Sequence, residues 1–400
     1  MWIPGDAAEI ERAARAGELV ETPTFDAKAD LPAPTKNASL AVDVAAMSTD
    51  GGVLLYGIGE DEHGQPTVPL PIGLAGAGDR IGQIVATSIS EVPYIDVRAY
   101  PLPHDQARGY LLVVVPQSAR APHQVTVGHD YRYYGRGATG NRRLSEGDVA
   151  RLYERRQSWA VDREELLVEC IASAPLRPHP AFGYVHAFAR PVAPGKSLWD
   201  RAVEAHGPEQ NLRRELAAAA AASSVTGTFD PSFASGSLSW HRQGADWWRV
   251  SKWPQSYYSD PERLKDPSRL LEAAFSVDGR GRLFCGSATR VWRNNNPRIM
   301  EVIIAGTMSG FLSMLGALYR DAGYHGAVDV GVAVTNLHGA GSLAMQGDFS
   351  ERFYGATEFT NTARWSAAEL HDAEQRTRDL LSRFFEASTG RPGYDPFADR

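Results

Sequence analysis

Short apolar runs alternate with amphipathic segments along the first 157 residues. The runs Val53–Tyr56 and Gly109–Val115 are almost continuously apolar, which predicts strands buried on both faces. Apolar residues that recur every three or four positions predict helices between the strands. The predicted helices cover residues 38–48, 79–90 and 146–156, and further strands are expected at 24–28, 94–100, 123–127 and 130–135. This order of elements predicts an α/β domain over residues 1–157.

Residues 158–400 lack a regular alternation of strands and helices, which predicts a second, α+β domain whose role no motif indicates. Helices are expected at 162–172, 198–222, 302–319 and 366–387, and strands at 184–190, 237–241, 247–252, 270–276, 283–285, 291–292 and 328–335. The segment 302–319 is free of charged residues but rich in small ones, and Glu301 and Arg320 bound it closely. We therefore expect a buried core helix and no membrane span.

Charge and cysteine content narrow the classes of function. The net charge of −7 creates no global field that attracts nucleic acid, so any such binding depends on a local basic patch. Cys170 and Cys285 lie far apart, which is typical of a reducing compartment. Residues 1–20 contain acidic side chains and no apolar core of a secretory signal. We therefore expect a cytoplasmic protein.

Four carboxylates mark the first two predicted strands. Glu21 and Asp26 belong to the first strand, and two further acids, Glu60 and Asp61, follow the second. If the strand ends meet, these side chains form a site for Mg²⁺ or Mn²⁺, since both cations prefer oxygen ligands. Lys28 shares a strand face with Asp26 and would contact a phosphate there. In the alternative interpretation, Glu60 and Asp61 are solvated turn residues and the first-strand aspartate pairs with Lys28.

A second candidate site combines basic side chains with tyrosines on the predicted strands around residue 130. Its members are Arg120, His123, Tyr131, Arg132, Tyr133, Tyr134, Arg136, Arg142 and Arg143. Basic groups suit a nucleic-acid backbone and phenol rings suit the stacking of bases. In the alternative interpretation this is a surface hairpin with half-packed tyrosines, and His123 is a structural hydrogen-bonding residue.

Seven pieces of this region recur in one order in a known family. They are Glu21, the triplet Asp26-Ala27-Lys28, the segment Ala45–Gly52, the segment Gly57–Asp61, the segment Val113–Ser118, Pro122-His123 and the motif Tyr133–Gly137. On these pieces, residues 19–157 resemble the Schlafen-type domain, also called the divergent AlbA-like domain. Two positions depart from the family pattern. Asp26 stands where the family has Glu, and Gly59 stands where it has Asp, so Glu60 or Asp61 would have to take that place.

The resemblance implies a metal-dependent endonuclease that acts on structured RNA such as tRNA, with a role in phage defence. It implies that Glu21, Asp26 and Glu60 or Asp61 hold the metal and that Lys28 contacts the phosphate. The alternative function is a non-catalytic regulatory protein that binds nucleic acid or a nucleotide. The oligomeric state stays open, with a homo-oligomer as one expectation.

Overall fold

The computed structural model describes residues 2–33, 36–118, 120–127, 131–137, 140–174, 179, 181–192, 197–223, 231–234, 238–252, 270–291, 296–345 and 353–398. The chain divides into two compact units, Met1–Ser158 and Trp159–Arg400. Both units mix helices with sheets, so the chain is of the mixed α and β class.

The first unit is built mainly of strands. They are β1 (Phe25–Lys28), β2 (Gly52–Tyr56), β3 (Ile58–Gly59), β4 (Val68–Pro69), β5 (Ile72–Gly73), β6 (Ile89–Ser90), β7 (Asp96–Leu102), β8 (Asp105–Val115), β9 (Gln124–Val125), β10 (Arg132–Gly137) and β11 (Gly140–Arg143). Its helices are α1 (Ala7–Arg15), α2 (Asn37–Met47) and α3 (Ala77–Ser88), and α4 (Glu146–Ala172) begins in this unit and ends in the second.

A five-stranded sheet forms the centre of the first unit, in the order β1-β2-β8-β5 with β7 also paired to β8. Strands β1 and β2 run parallel, and β8 runs antiparallel to β2. Alternate residues of β2 pack against two different cores: Leu54 contacts the core under α2 and α3, and Val53 contacts the core under α1. Strand β2 is therefore buried on both faces, as its apolar run predicts.

A smaller sheet, in the order β11-β10-β9-β6, lies beside α2. Its strands β10 and β11 form an antiparallel hairpin in which Tyr134 faces Arg143 and Arg136 faces Asn141. Tyr134 packs against the core under α2. One side of the hairpin is therefore turned towards the main sheet.

The second unit contains a large sheet and four complete α-helices among its described residues. The strands are β12 (Gly183–Pro191), β13 (Ser239–Gln243), β14 (Trp247–Ser251), β15 (Leu271–Ser276), β16 (Gly281–Val291), β17 (Pro297–Ile299), β18 (Ala327–Thr335), β19 (Gly341–Ser342) and β20 (Glu358–Ser366). The helices are α5 (Leu198–His206), α6 (Glu209–Ser223), α7 (Glu301–Asp321) and α8 (Ala373–Thr389), and a 3₁₀-helix covers Ala367–His371.

All nine strands join one sheet, whose main path is β13-β14-β15-β16-β12-β18-β20. Helix α7 packs at the centre of the large core on one face of this sheet, together with α5, α6 and α8. Within the described residues α7 alone has the length and composition of a membrane-crossing helix, but most of its apolar window is buried against the rest of the unit. The expectation of a core helix at this position fits that burial.

A buried ion cluster surrounds Asp329 on β18. The carboxylate is fully buried and accepts hydrogen bonds from Arg364 Nε at 2.6 Å and Arg190 Nη2 at 2.8 Å. The guanidinium of Arg163 lies 3.7 Å away. A single buried carboxylate thus lies within ion-pair distance of three arginines among the described residues.

Several elements differ from the sequence predictions, and the short strands β3, β4, β5, β6, β11, β17 and β19 were not predicted. The helices expected at 146–156 and 162–172 form one continuous helix, α4. The helix expected at 198–222 is interrupted at Gly207, which has a φ of 76° and precedes Pro208. Strand β20 was not predicted. Ser237 and Trp292, which end two predicted strands, lie outside the described residues.

Candidate functional site

A tight turn places Glu21 beside β1. Backbone hydrogen bonds in both directions between Thr22 and Phe25 reverse the chain just before the strand. The carboxylate of Glu21 can therefore accept a hydrogen bond from the backbone N–H of Ala27, at 3.3 Å. The turn brings Glu21 next to Asp26, as the sequence interpretation of these two acids requires.

Asp26 lies on the edge strand of the main sheet, on the face that α2 covers. Asp26 is only 3% exposed, and both of its carboxylate oxygens have cationic partners. Lys28 Nζ lies 2.9 Å from Oδ1, and Arg136 Nη1 donates to Oδ2 at 2.9 Å. The pairing of Asp26 with Lys28 is the one expected in the alternative interpretation, in which these residues have a structural role. The pairing with Arg136 joins two motifs that lie far apart in the chain.

Asp43 of α2 completes this cluster, and sequence reasoning missed it. Its carboxylate accepts a hydrogen bond from Asn141 Nδ2 at 2.6 Å, and Asn141 Oδ1 accepts one from Arg136 Nη1 at 3.1 Å. Asp43 is buried within a helix whose neighbouring residues are apolar. The position of this carboxylate among apolar residues of a predicted helix indicates a buried charge. Because a buried charge needs a partner, the sequence does contain a signal for Asp43.

The cluster holds more acids than bases, and this excess governs its electrostatics. Three carboxyl groups, those of Glu21, Asp26 and Asp43, share two cations, Lys28 and Arg136. Partial burial and then the charge of Asp26 raise the pKa of Glu21. Burial likewise raises the pKa of Asp43, although its hydrogen bond from Asn141 acts in the opposite direction. Burial lowers the pKa of Lys28, but the neighbouring carboxylates, Asp26 first and then Asp43 and Glu21, together more than offset this effect, so that pKa is raised.

Glu60 and Asp61 take part in a separate turn. The Asp61 carboxylate accepts hydrogen bonds from the backbone N–H groups of His63 at 2.8 Å and Gln65 at 2.9 Å, and from Thr67 Oγ1 at 3.1 Å. These hydrogen bonds lower the pKa of the exposed Asp61 side chain. Glu60 is exposed to solvent. The arrangement matches the interpretation of these two acids as turn residues.

The four acids proposed as metal ligands do not converge in this arrangement. Throughout the described ranges, no three histidine, cysteine or carboxylate side chains are grouped so that they could hold a metal ion. Asp26 directs its oxygens at Lys28 and Arg136, and Asp61 directs its oxygens at its own turn. Of the four acids, only Glu21 and Asp26 lie together in the described structure, and binding of Mg²⁺ or Mn²⁺ stays a prediction.

The second candidate site divides into buried and exposed members. Arg136 points inwards: its side chain is 8% exposed, and Nη2 donates to the carbonyl oxygen of Thr22 at 3.4 Å. The prediction that Arg136 offers its charge to a ligand at the surface is wrong for this arrangement, because Asp26, Asn141 and a backbone carbonyl already accept from its guanidinium.

His123 is also buried, and it is a structural residue. Its Nε2 forms a hydrogen bond with Ser118 Oγ at 2.7 Å, and its Nδ1 contacts the carbonyl oxygen of Glu91. Burial lowers the pKa of His123 to about 4, with a further contribution from the charge of Arg120. The imidazole is therefore neutral at pH 7 and is enclosed by protein, which corrects its assignment to a binding surface.

The remaining members lie at or near the surface. Arg120, Arg132, Arg142 and Arg143 are exposed, and Tyr131 is 55% exposed with a φ of 43°. Tyr133 is half-buried, and its hydroxyl forms a hydrogen bond with that of Tyr153 on α4 at 3.3 Å, which raises the pKa of Tyr133 to about 12. Arg142 pairs with Asp148 at 2.7 Å. The hairpin thus presents basic and aromatic side chains together.

Comparison with known proteins adds one distant likeness. No protein-family model and no curated protein matches this chain. A solution NMR structure that is similar is the N-terminal domain of a RecG-related protein from Nitrosomonas europaea, named for its relation to ATP-dependent DNA helicases. The two are 19% identical with a TM-score of 0.24, over 36% of this chain and 96% of that one. A likeness this distant says nothing about activity.

Proposed function

We propose that the first unit binds nucleic acid through the exposed side chains of the β10–β11 hairpin. The observation that supports this proposal most directly is the exposure of Arg132, Arg142 and Arg143 on one short hairpin. Closely spaced cations of this kind match the repeating charge of a phosphate backbone. They provide the local basic patch that binding by a chain of net charge −7 requires.

The inner side of the hairpin supports this role because it is fixed to the main sheet. Arg136 and Asn141 form a continuous hydrogen-bonded network with Asp26 and Asp43, so the hairpin backbone is held in place. A surface whose backbone is already ordered loses less conformational freedom when a ligand binds. The buried acidic cluster therefore acts as the support of the basic surface.

Exposed tyrosines favour a ligand with accessible bases. Tyr131 and Tyr153 are both exposed, Tyr131 directly precedes Arg132, and base stacking on an aromatic ring needs exposed ring surface. Bases are accessible in single strands and in RNA loops but not inside a regular duplex. We therefore propose structured RNA with unpaired bases as the preferred ligand.

Fluorescence anisotropy with a labelled RNA stem-loop, its DNA counterpart and a blunt DNA duplex tests this proposal over a series of salt concentrations. We expect the stem-loop to bind best and Arg143→Ala to weaken binding to every sequence. Removing one phosphate contact should reduce the slope of log K against log salt by about 0.7 to 0.9. Arg12→Ala is the matched control, since Arg12 is 63% exposed on α1 and pairs with a surface acid, Glu18.

The control variant should bind as the unchanged protein does. If Arg143→Ala and Arg142→Ala leave both the affinity and the salt slope unchanged, the hairpin is not the binding surface. If none of the three nucleic acids binds at low salt, the proposed function is wrong.

RNA cleavage, which the Schlafen resemblance implies, stays a prediction and is a second candidate. One observation favours it: the carboxylates of Glu21 and Asp26 lie together beside Lys28. The same binding reactions with Mg²⁺ or Mn²⁺ can be scored for cleavage. Catalysis is established if Glu21→Gln still binds RNA but no longer cleaves it. The control variant Glu18→Gln should cleave as the unchanged protein does. If RNA and DNA stay intact with either metal, cleavage is excluded and binding is the remaining function.

A further inference from the structure

Four charged side chains gather on one face of the large sheet in the second unit, and we call them the arginine cluster. They are Arg163 of α4, Arg190 of β12, Asp329 of β18 and Arg364 of β20. The three strand residues are register partners on adjacent strands, so they lie in one row. Val328 and Val330, which flank Asp329, belong to the core around α7, so the row lies on the opposite face of the sheet.

One carboxylate serves all three guanidinium groups of the arginine cluster. Arg364 donates to both oxygens of Asp329, at 2.6 and 2.9 Å, and Arg190 Nη2 donates to Oδ2 at 2.8 Å. Arg163 Nη1 lies 3.7 Å from Oδ1, which is longer than a hydrogen bond. The exposed Glu164 acts on Arg163 through space, but within the described ranges it forms no ion pair with the three arginines. Two positive charges are therefore left without an acid in contact with them in this part of the structure.

The same imbalance is visible in individual nitrogen atoms. Arg190 Nε and Arg364 Nη1 are buried donors with no hydrogen-bond partner among the described residues. Burial and the charge of Arg364 lower the pKa of Arg163, although Asp329 acts in the opposite direction. Buried cations are usually paired and hydrogen-bonded, since their removal from water is costly. The arginine cluster therefore lacks an anionic acceptor.

The arginine cluster is open to solvent at Arg190, whose side chain is 32% exposed. The side chain of Arg163 is 13% exposed. Arg364 is only 2% exposed, and its guanidinium lies against the ring of Trp159, 3.8 Å from the ring centre. An anion that enters from solvent would therefore contact Arg190 and Arg163, and Arg364 would attract it through space.

We propose that the arginine cluster binds a compact phosphate dianion, either free phosphate or the phosphate group of a small monoester. Guanidinium groups donate paired hydrogen bonds to phosphate oxygens, and a phosphate monoester carries a charge of about −1.5 to −2 at neutral pH. This charge matches the excess in the cluster, whereas a monoanion would balance half of it. Because the three guanidinium groups converge on one carboxylate, a ligand with both charges on one centre fits better than an extended dicarboxylate.

Isothermal titration of the full chain at constant ionic strength and about pH 8, where phosphate is doubly charged, tests this inference. The probes are inorganic phosphate, glycerol 3-phosphate, dimethyl phosphate as a monoanion and succinate as an extended dianion. We expect phosphate or its ester to bind at least tenfold more tightly than dimethyl phosphate and succinate. Which of the first two binds more tightly shows whether the ligand is the free ion or an ester.

Two variants of the arginine cluster should change this binding in opposite directions. Arg190→Met should weaken it at least tenfold, and this variant leaves Asp329 the paired hydrogen bonds from Arg364. Asp329→Asn removes the competing carboxylate, so phosphate should raise its melting temperature by more than that of the unchanged protein. Arg320→Met is the matched control, since Arg320 is 64% exposed on α7 and does not belong to the cluster. It should bind phosphate as the unchanged protein does.

A further measurement does not depend on the folding of a variant. In the unchanged protein labelled with ¹⁵N at arginine, guanidinium resonances should shift with phosphate or its ester and not with dimethyl phosphate. The inference is overturned if no such resonance shifts, if neither phosphate nor its ester binds, or if dimethyl phosphate or succinate binds equally well. It is also overturned if Arg190→Met binds as the unchanged protein does, or if Asp329→Asn gains no more from phosphate than Arg320→Met. The arginine cluster lies in the second unit, so none of these results affects the RNA-binding proposal for the hairpin.

Discussion

The most informative single perturbation is Arg136→Met, because it separates a structural arginine from a ligand-binding one. The guanidinium donates to Asp26 at 2.9 Å, to Asn141 at 3.1 Å and to the carbonyl oxygen of Thr22 at 3.4 Å. Methionine keeps much of the apolar stem but removes all three hydrogen bonds. Asp26 would then be left buried with Lys28 as its remaining cationic partner among the described residues.

The expected cost follows from the burial of the pair. The side chains of Arg136 and Asp26 are 8% and 4% exposed, and breaking a buried ion pair typically costs about 3 to 5 kcal/mol. We expect the free energy needed to open the hairpin from the sheet to fall by this amount. Since each 1.4 kcal/mol is about tenfold in an equilibrium, amide exchange should be about 10² to 10⁴ times faster.

Hydrogen–deuterium exchange with mass spectrometry measures this effect where it occurs, in peptides that cover the 22–25 turn and β10. The matched control is Arg12→Met, which breaks the exposed pair with Glu18 and should change local stability by about 1 kcal/mol or less. Unchanged exchange in Arg136→Met together with a loss of RNA binding would refute the structural role. It would show instead that Arg136 reaches the ligand directly.

Three further predictions concern stability. Asp329→Asn should lower the unfolding free energy by about 3 to 5 kcal/mol in urea titrations, because the buried Arg364 and the partly buried Arg190 lose their counter-charge. Burial lowers the pKa values of His123 and His186 to about 4, so the stability they contribute is present above pH 6.5 and lost as the pH falls to about 4. Thermal melts over this range should show that loss, reduced in His123→Gln. Gly52→Ala should lower the melting temperature, at a cost of about 1 to 3 kcal/mol, because its Cβ would lie 2.7 Å from the carbonyl oxygen of Thr24.

Each of these predictions has a result that contradicts it. An Asp329→Asn protein as stable as Arg320→Met, which breaks exposed pairs, would mean that the buried cluster is energetically neutral. Identical pH profiles for His123→Gln and the unchanged protein would show that this imidazole does not titrate between pH 6.5 and 4. For Gly52→Ala the comparison is Gly82→Ala, which places a methyl group in open space on a helix and should be stabilising.

The elements that could be predicted from the sequence are those whose residues require burial or exposure regardless of which elements pack beside them. Strands β2 and β8 were predicted because apolar runs require burial whatever the neighbouring elements are. Strand β20 was missed, because its polar and apolar residues do not alternate cleanly and it is half-buried against β18. Helix α4 was predicted in two pieces. Within 157–161 the large apolar residues are Trp159 and Val161, and their spacing of two does not continue the helical pattern.

The candidate sites were harder to predict because they depend on pairings between distant segments. Alternation along a strand puts Tyr134 and Arg132 on one hairpin face and Tyr133 on the other, but it does not show which face is buried. That choice is made by Asp26, 110 residues away from Arg136. Asp43 was missed for the same reason. Its role appears only when α2 is packed beside the hairpin.

The burial of α7 has a consequence for handling the protein in the laboratory. This helix includes 18 consecutive residues without a charge, Val302–Tyr319, and the folded unit hides almost all of them. When the second unit melts, that segment becomes exposed to water and to other unfolded copies. Chains that expose such surface tend to self-associate before they refold. We therefore expect heat-treated samples to precipitate and refolding yields to fall steeply with protein concentration.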